Sequence, residues 1–288
     1  MLTVYAPAKI NLVLEVLGKN DNYHQISSII QSIDLCDVLN FQSGEEICFE
    51  CTEPGLKRDN LVTRAAALLK ESTKYSRGAR IELRKHIPWA VGLGGGSSDA
   101  AATLIALNEL WGLGLSLSEL VHLASKLGSD VPFLIHKGTT LVEGTGEKIT
   151  PLPSLPLTYF VLLVSPLPKI LNKTKQMYSN LNVTYFTRGQ FIEPALSYLR
   201  QGKVITPDLM FNVFKKIAFD FFPGLYKYRK TLEEAGAPRV YLAGSGPCLF
   251  TLSPDEKKAL EIFLQLKRQG LECYLASSFI HTNVSAGL

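Results

Sequence analysis

The chain has 288 residues, 46% hydrophobic and 19% charged, with a formal net charge of +4. That length holds one large domain or two medium ones, and that composition excludes a disordered tail. The mild positive balance suits phosphate-bearing ligands, but no run of five or more Lys/Arg provides a footprint for nucleic acid. Apolar runs such as YFVLLV at 159–164 fall far short of the ~18 residues that a membrane span needs. Lys9 and Asn11 interrupt the apolar N-terminal stretch, which breaks any signal-peptide core. The expectation is a cytoplasmic protein with no membrane partner.

TVYAPAKINLVLEVLG, NYHQISSIIQSIDLCDVLNFQS and EEICFECTE predict a β-rich start, with the first strand running either side of Pro7. Cys48 and Cys51 form C-x-x-C, but no second pair exists to complete a zinc ribbon. Strand alternation sends them to opposite faces, so the five cysteines are expected to be unpaired. Asp59 is expected to cap a helix over NLVTRAAALLKEST. ARIELRKHIP reads as a strand stopped by Pro88.

A glycine-rich stretch then leads into a helix from about Ser98 to Trp111. Ser116 and Glu119 have capping-box spacing for the next helix, with Gly128 as its stop. TTLVEGTGEKITPL reads as a hairpin. Prolines at 151, 153, 156, 166 and 168 mark a domain junction around 150–157. Beyond it, LTYFVLLVSP is a strand. KTKQMYSNL, FIEPALSYLRQG and LYKYRKTLEEAG are helices. RVYLAGSGPCLFTLS is strand, glycine turn, strand. PDEKKALEIFLQLKRQG is an amphipathic helix and LECYLASSFI a last strand. This second half alternates as a two-layer α+β unit.

The stretch PWAVGLGGGSSDAAATL at 88–104 carries the chemistry. Glycines 92, 94, 95 and 96 expose bare backbone N–H groups. The helix that follows adds unpaired donors and partial positive charge. Together they form an anion cradle for phosphates, with Ser97 and Ser98 placed to cap the helix or to touch phosphate oxygens and a metal. Ser97 follows Gly96 where a Walker loop has Lys, and it stands where a dinucleotide fingerprint has its third glycine. A second glycine turn, AGSGPC at 243–248, is small enough to pack beside the first.

Three separated motifs, PAKINLVLEVLGKNDNYHQI, PWAVGLGGGSSDAAATL and AGSGPCLF, resemble those of the GHMP kinases, and GSDVPF strengthens the match. The resemblance runs through nearly the whole chain. It implies an α+β, two-domain fold: an N-terminal α/β domain over residues 1–152 and a ferredoxin-like domain over 153–288. It also implies ATP and Mg²⁺ as cofactors. The implied substrate is a cytidyl-diphosphate sugar alcohol phosphorylated on its 2-hydroxyl; homoserine or mevalonate kinase activity is the alternative. The expected state is monomer or homodimer.

Residue roles follow from the same resemblance. Alone, Lys9 in an apolar strand is an edge lysine facing solvent or a buried charge with work to do. The motif match makes it catalytic. Asp130, which alone reads as a helix cap, becomes the base that takes the hydroxyl proton, with Lys9 pairing with it and orienting it. Pro88, Trp89, Ala90, Val91, Gly92, Leu93, Gly94, Gly95, Gly96, Ser97 and Ser98 are expected to bind ATP. Asn60 and Lys85 would flank the adenine, although a helix-start residue and a solvated lysine are equally ordinary readings. Asn11, Tyr23, His24 and Tyr178 are expected at the second substrate, with the tyrosines and His24 around cytosine. Asn22 stands where the family has Gly, and Asn tolerates a left-handed turn. Asn212 matches a family position, but Val213 and Phe214 depart from the pattern. Neither Asp99 nor Glu143 is singled out as a metal ligand.

Overall fold

Two long antiparallel strands, β1 (Leu2–Asn20) and β2 (Tyr23–Gly44), form the spine of the computed structural model, which describes residues 1–20, 23–56, 60–170, 172–203 and 205–278. From Ala6 to Leu14 the side chains of β1 are buried without alternation, because this strand is covered on both faces. Pro7 sits at a shift in the β1–β2 register, where a missing N–H is tolerated. The other elements of this half are β3 (Cys48–Cys51), α1 (Leu61–Thr73), β4 (Gly78–Arg84), α2 (Gly95–Leu110), α3 (Leu117–Ser125), α4 (Val131–His136), β5 (Thr139–Gly144) and β6 (Lys148–Pro151). The predicted hairpin is β5–β6.

The second half contains β7 (Tyr159–Leu163), α5 (Lys173–Ser179), α6 (Ile192–Arg200), β8 (Phe211–Asn212), α7 (Lys215–Phe221), α8 (Leu225–Glu234), β9 (Tyr241–Leu242), β10 (Leu249–Ser253), α9 (Glu256–Arg268) and β11 (Cys273–Ser277). Its four strands pair antiparallel in the order β11-β7-β10-β9, the ferredoxin-like arrangement. The seven-stranded sheet runs β3-β4-β2-β1-β8, with β5 and β6 attached through β2. The short β8 crosses from the second half to pair parallel with β1. An apolar cluster including Ile10, Leu12, Phe160, Leu162 and Phe250 joins the two sheets. That shared core fixes the two halves against each other, and the site described below lies between them.

Four sequence expectations change. Asp59 lies outside the described residues, as do Asp21 and Asn22, and the cap of α1 is Asn60, whose Oδ1 accepts from the Thr63 N–H at 3.0 Å. α2 begins at Gly95, with Gly94 in the left-handed region (φ 73°) as its cap, so Ser97 and Ser98 lie inside the helix and do not cap it. α3 has the full Ser116/Glu119 capping box, but it ends at Lys126 in a right-handed conformation, and Gly128 is not left-handed. Asp130 occupies the cap position of α4 without a side-chain cap bond. Cys48 and Cys51 sit on β3, and all five cysteines are free. Among the described residues no helix is long and apolar enough to cross a membrane.

Candidate active site

The glycine stretch is held from two sides. The Lys9 N–H donates to the Leu93 carbonyl at 2.9 Å and the Cys248 N–H to the Val91 carbonyl at 3.1 Å, tying the loop to β1 and to the second glycine turn. A Cβ on Gly92 (φ 99°) would lie 2.1 Å from the Ala243 carbonyl oxygen, and one on Gly94 would lie 2.8 Å from Lys9 Cγ. These glycines are therefore required by close backbone approach as well as by conformation. The start of α2 leaves first-turn N–H groups without intrahelical acceptors, and they face a cavity lined by residues 92–97, Pro88, Trp89 and Ala90. The Val91 and Ser98 side chains are buried behind it, and among the described residues Ser98 Oγ has no partner.

The ATP binding that the motif resemblance implies should weaken by about tenfold when Gly92 is replaced with Ala, from a left-handed strain of about 1–2 kcal/mol added to the contact with Ala243. Titration with a non-hydrolysable ATP analogue measures it. Wild-type affinity would show that the loop–turn contact has no bearing on the nucleotide.

Lys9 and Asn11, two apart on β1, point to the same side, into this cavity. Lys9 is 5% exposed, so its charge is committed to the interior. Its Nζ donates to Asn11 Oδ1 at 2.8 Å and lies 3.4 Å from Asp130 Oδ2. Asn11 Nδ2 in turn donates to Ser28 Oγ at 2.9 Å, which fixes its amide orientation. The solvent-facing reading of Lys9 is excluded. Asp130, with its side chain 40% exposed, is the accessible member of the pair.

Asp130, Ser97, Thr174 and Tyr178 also line a second, larger cleft of about 920 Å³ that contains Tyr23, His24 and Lys19. Asp130 thus sits where the two spaces meet. His24 and Tyr178 stack directly on each other, with centroids 4.8 Å apart, while Tyr23 is 67% exposed. A base bound between His24 and Tyr178 must part those rings. Burial, then the charge of Lys19, lowers the His24 pKa below the usual imidazole value, so the ring is neutral at pH 7.

On the far side of the cradle, Asn60, Lys85, Trp89, Gly96 and Asp99 line a pocket of about 260 Å³. The helix-start reading of Asn60 holds, but the solvated reading of Lys85 does not. Lys85 lies just past β4, its side chain 5% exposed, bonded to Asp37 and, at 2.8 Å, to Asp99 Oδ2. Burial opposes its charge, but Asp99 and Asp37 outweigh that and raise its pKa. Burial pushes Asp99 up to about 8 against the pull of Lys85, with Asp37 adding repulsion. Asp99 is one turn into α2, which begins at Gly95, so this cluster anchors the cradle from below.

The sequence reading missed Asp37, whose Oδ1 accepts from the His86 and Ile87 N–H groups at 2.6 and 2.9 Å. The signal was available: a carboxylate within an apolar strand needs partners. Asn212, matched only loosely, donates to the Leu242 and Gly244 carbonyls at 2.9 and 2.8 Å and holds the second glycine turn. Lys173 also enters the cavity without having been foreseen.

Comparison with known proteins identifies the family of this fold. Residues 60–138 match the GHMP kinases N terminal domain and residues 197–272 the GHMP kinases C terminal domain. Fold and cradle together make this protein a small-molecule kinase of the GHMP class. It is 45% identical over 280 residues to a 4-diphosphocytidyl-2-C-methyl-D-erythritol kinase of Dehalococcoides mccartyi, a span covering 96% of this chain and 98% of the relative. The same-named protein of Caldanaerobacter subterraneus is 36% identical, over 92% and 93% of the two chains. A crystal structure of 4-(cytidine 5'-diphospho)-2C-methyl-D-erythritol kinase superimposes with a TM-score of 0.80 at 31% identity, covering 96% of this chain and 98% of that one. Homoserine kinase from Cytophaga hutchinsonii, 18% identical with a TM-score of 0.68, shares the fold. The chain belongs to the 4-diphosphocytidyl-2-C-methyl-D-erythritol kinase family.

Proposed function

We propose that this protein transfers the γ-phosphoryl group of ATP to the 2-hydroxyl of 4-(cytidine 5'-diphospho)-2-C-methyl-D-erythritol, a step of non-mevalonate isoprenoid precursor synthesis. The observation that carries the reading is the position of Asp130, which lines both the glycine cradle and the cleft of His24 and Tyr178. In this reading residues 1–152 form the kinase domain and 153–288 the ferredoxin-like domain. The enzyme acts in the cytoplasm, as a monomer or homodimer.

The cradle N–H groups of residues 92–97 hold the triphosphate, and Asn60, Lys85 and Trp89 border the adenine side. The acceptor hydroxyl stands beside Asp130. Its oxygen bonds to the γ-phosphorus while its proton passes to the Asp130 carboxylate. The bond from the γ-phosphorus to the bridging oxygen breaks, and the electron pair leaves with ADP. Lys9 holds Asp130 in place and offsets charge on the phosphoryl oxygens. Such transfers depend chiefly on positioning and charge stabilisation.

Among the described residues no group of three or more His, Cys, Asp and Glu forms a metal cage. The Ser97 hydroxyl in the cavity nonetheless fits Mg²⁺ arriving on the triphosphate, because this ion is commonly bound by one or two protein ligands plus phosphates. Mg²⁺ would supply neutralisation of phosphate charge.

Tyr23, His24 and Tyr178 form the cytosine side, and Asn11 meets the sugar alcohol. The direct test offers the enzyme ATP with the cytidyl substrate, homoserine or mevalonate and follows ADP release. Turnover with homoserine or mevalonate alone would overturn the substrate assignment. Replacing His24 with Ala should raise KM for the cytidyl substrate by about tenfold, the worth of one well-placed hydrogen bond, and leave KM for ATP unchanged. Equal changes in both constants would remove His24 from base reading. Because the neutral ring is the binding form, affinity for that substrate should also fall as the pH drops below the lowered imidazole pKa.

A further inference from the structure

A second buried lysine enters the reaction cavity and has no counter-ion. Lys173, the first residue of α5, is 6% exposed and lines the same cavity as Lys9, Asp130 and the glycine cradle. Its ammonium donates to the Gly246 carbonyl of the second glycine turn. The neighbouring Thr174 hydroxyl lies 3.0 Å from Ser245 Oγ. No ion pair among the described residues includes Lys173, and Asp130, the carboxylate in this cavity, is already engaged by Lys9.

Two ammonium groups therefore converge on one carboxylate, in a space walled by backbone N–H donors. A buried cation with a single carbonyl acceptor is poorly compensated. The surplus charge matches an anion of more than one negative charge, and a phosphoryl group moving between the cradle and Asp130 supplies one. A lysine that served only to pin the glycine turn would gain nothing from being charged, since a neutral donor would do the same.

We propose that Lys173 is a second phosphate-binding cation of the kinase, its ammonium contacting an oxygen of the phosphoryl group in transit. It exchanges no proton with the reacting atoms; the hydroxyl proton still goes to Asp130 and the electron pair to ADP. In the free protein, burial and then the charge of Lys9 lower its pKa to about 7, with Cys248 and Asp130 opposing. Tyr178, from the same helix, faces the cavity as a neutral phenol, its pKa raised by burial and by Asp130. Near pH 8 the free protein therefore holds Lys173 mostly neutral, and an arriving triphosphate restores its proton.

The inference rests on the kinase reading above but is tested separately from it. Binding of a non-hydrolysable ATP analogue to the wild-type protein at pH 8, followed by calorimetry in two buffers of different ionisation enthalpy, should show uptake of about one proton. The Lys173→Met variant should bind without that uptake. With the cytidyl substrate its kcat should fall by about 100-fold, the scale of losing one donor to transition-state charge.

Thermal melting separates this role from a structural one. The unfolded chain keeps the lysine proton up to 10.5 while the folded protein loses it near 7, so this group opposes folding fully below 7 and by less and less as pH rises towards 10.5. Lys173→Met should thus melt no lower than wild type at pH 7. Absence of proton uptake by the wild type would overturn the proposal, as would a variant with wild-type kcat. A variant losing melting temperature and kcat together, with uptake intact, would reduce Lys173 to a prop for the glycine turn.

Discussion

Changing Asp130 to Asn should lower kcat by about 1,000-fold while the protein stays folded, within the range expected for removing a general base. The two side chains have the same shape, but the amide cannot accept the hydroxyl proton. Folding should survive because Asp130 makes no side-chain cap bond in α4 and its side chain is 40% exposed. Lys9 keeps its bond to Asn11 Oδ1 at 2.8 Å, so its buried charge is not left without an acceptor. KM for ATP should change little, because the cradle is built from backbone. Steady-state kinetics beside a thermal melt tests this. A folded variant retaining more than about a tenth of wild-type kcat would be too active for Asp130 to be the base.

Changing Lys85 to Met should destabilise the protein by about 3–5 kcal/mol, the usual cost of removing one partner from a buried charge cluster. The loss leaves Asp37 and Asp99, side chains 0% and 3% exposed, facing each other without a cation. Their carboxylates would then be held above their unfolded pKa values by burial and mutual repulsion. Groups raised in this way favour the folded state below the unfolded pKa and lose that contribution as pH rises through the folded one. The deficit of the variant should therefore be smallest in acid and grow towards neutral pH. A second change, Asp99→Asn, should recover part of the stability by removing a buried carboxyl that repels Asp37. Urea unfolding of the three proteins at pH 5 and pH 8 measures both effects. A single variant as stable as wild type would mean that the cluster does not hold the start of α2.

These two residues show how unevenly the site could be read from the chain. Asp130 was singled out because GSDVPF and the opening PAKINL match a family pattern, yet its local signal pointed to a helix cap. The cap position is real and the cap bond is not, since the carboxylate turns instead towards Lys9, 121 positions away along the chain. For Lys85 the local signal pointed to solvent. Its partners lie on β2 and α2, and no spacing rule joins a strand-end lysine to carboxylates 48 and 14 residues away. His24 and Tyr178 were both expected beside cytosine, but their direct stacking depends on α5 folding back over the β1–β2 end, which neither motif encodes.

What the amino-acid order determined by itself was local or backbone-borne. The Ser116/Glu119 capping box, the hairpin of residues 139–151 and the glycine-built helix start each depend on residues a few positions apart, and each was legible. Tertiary structure decided where charge goes. Burial of Lys9, Lys85 and Lys173 is set by sheets and helices meeting from distant parts of the chain. The energy of a buried ammonium depends on which acceptors surround it, and only the folded chain supplies them.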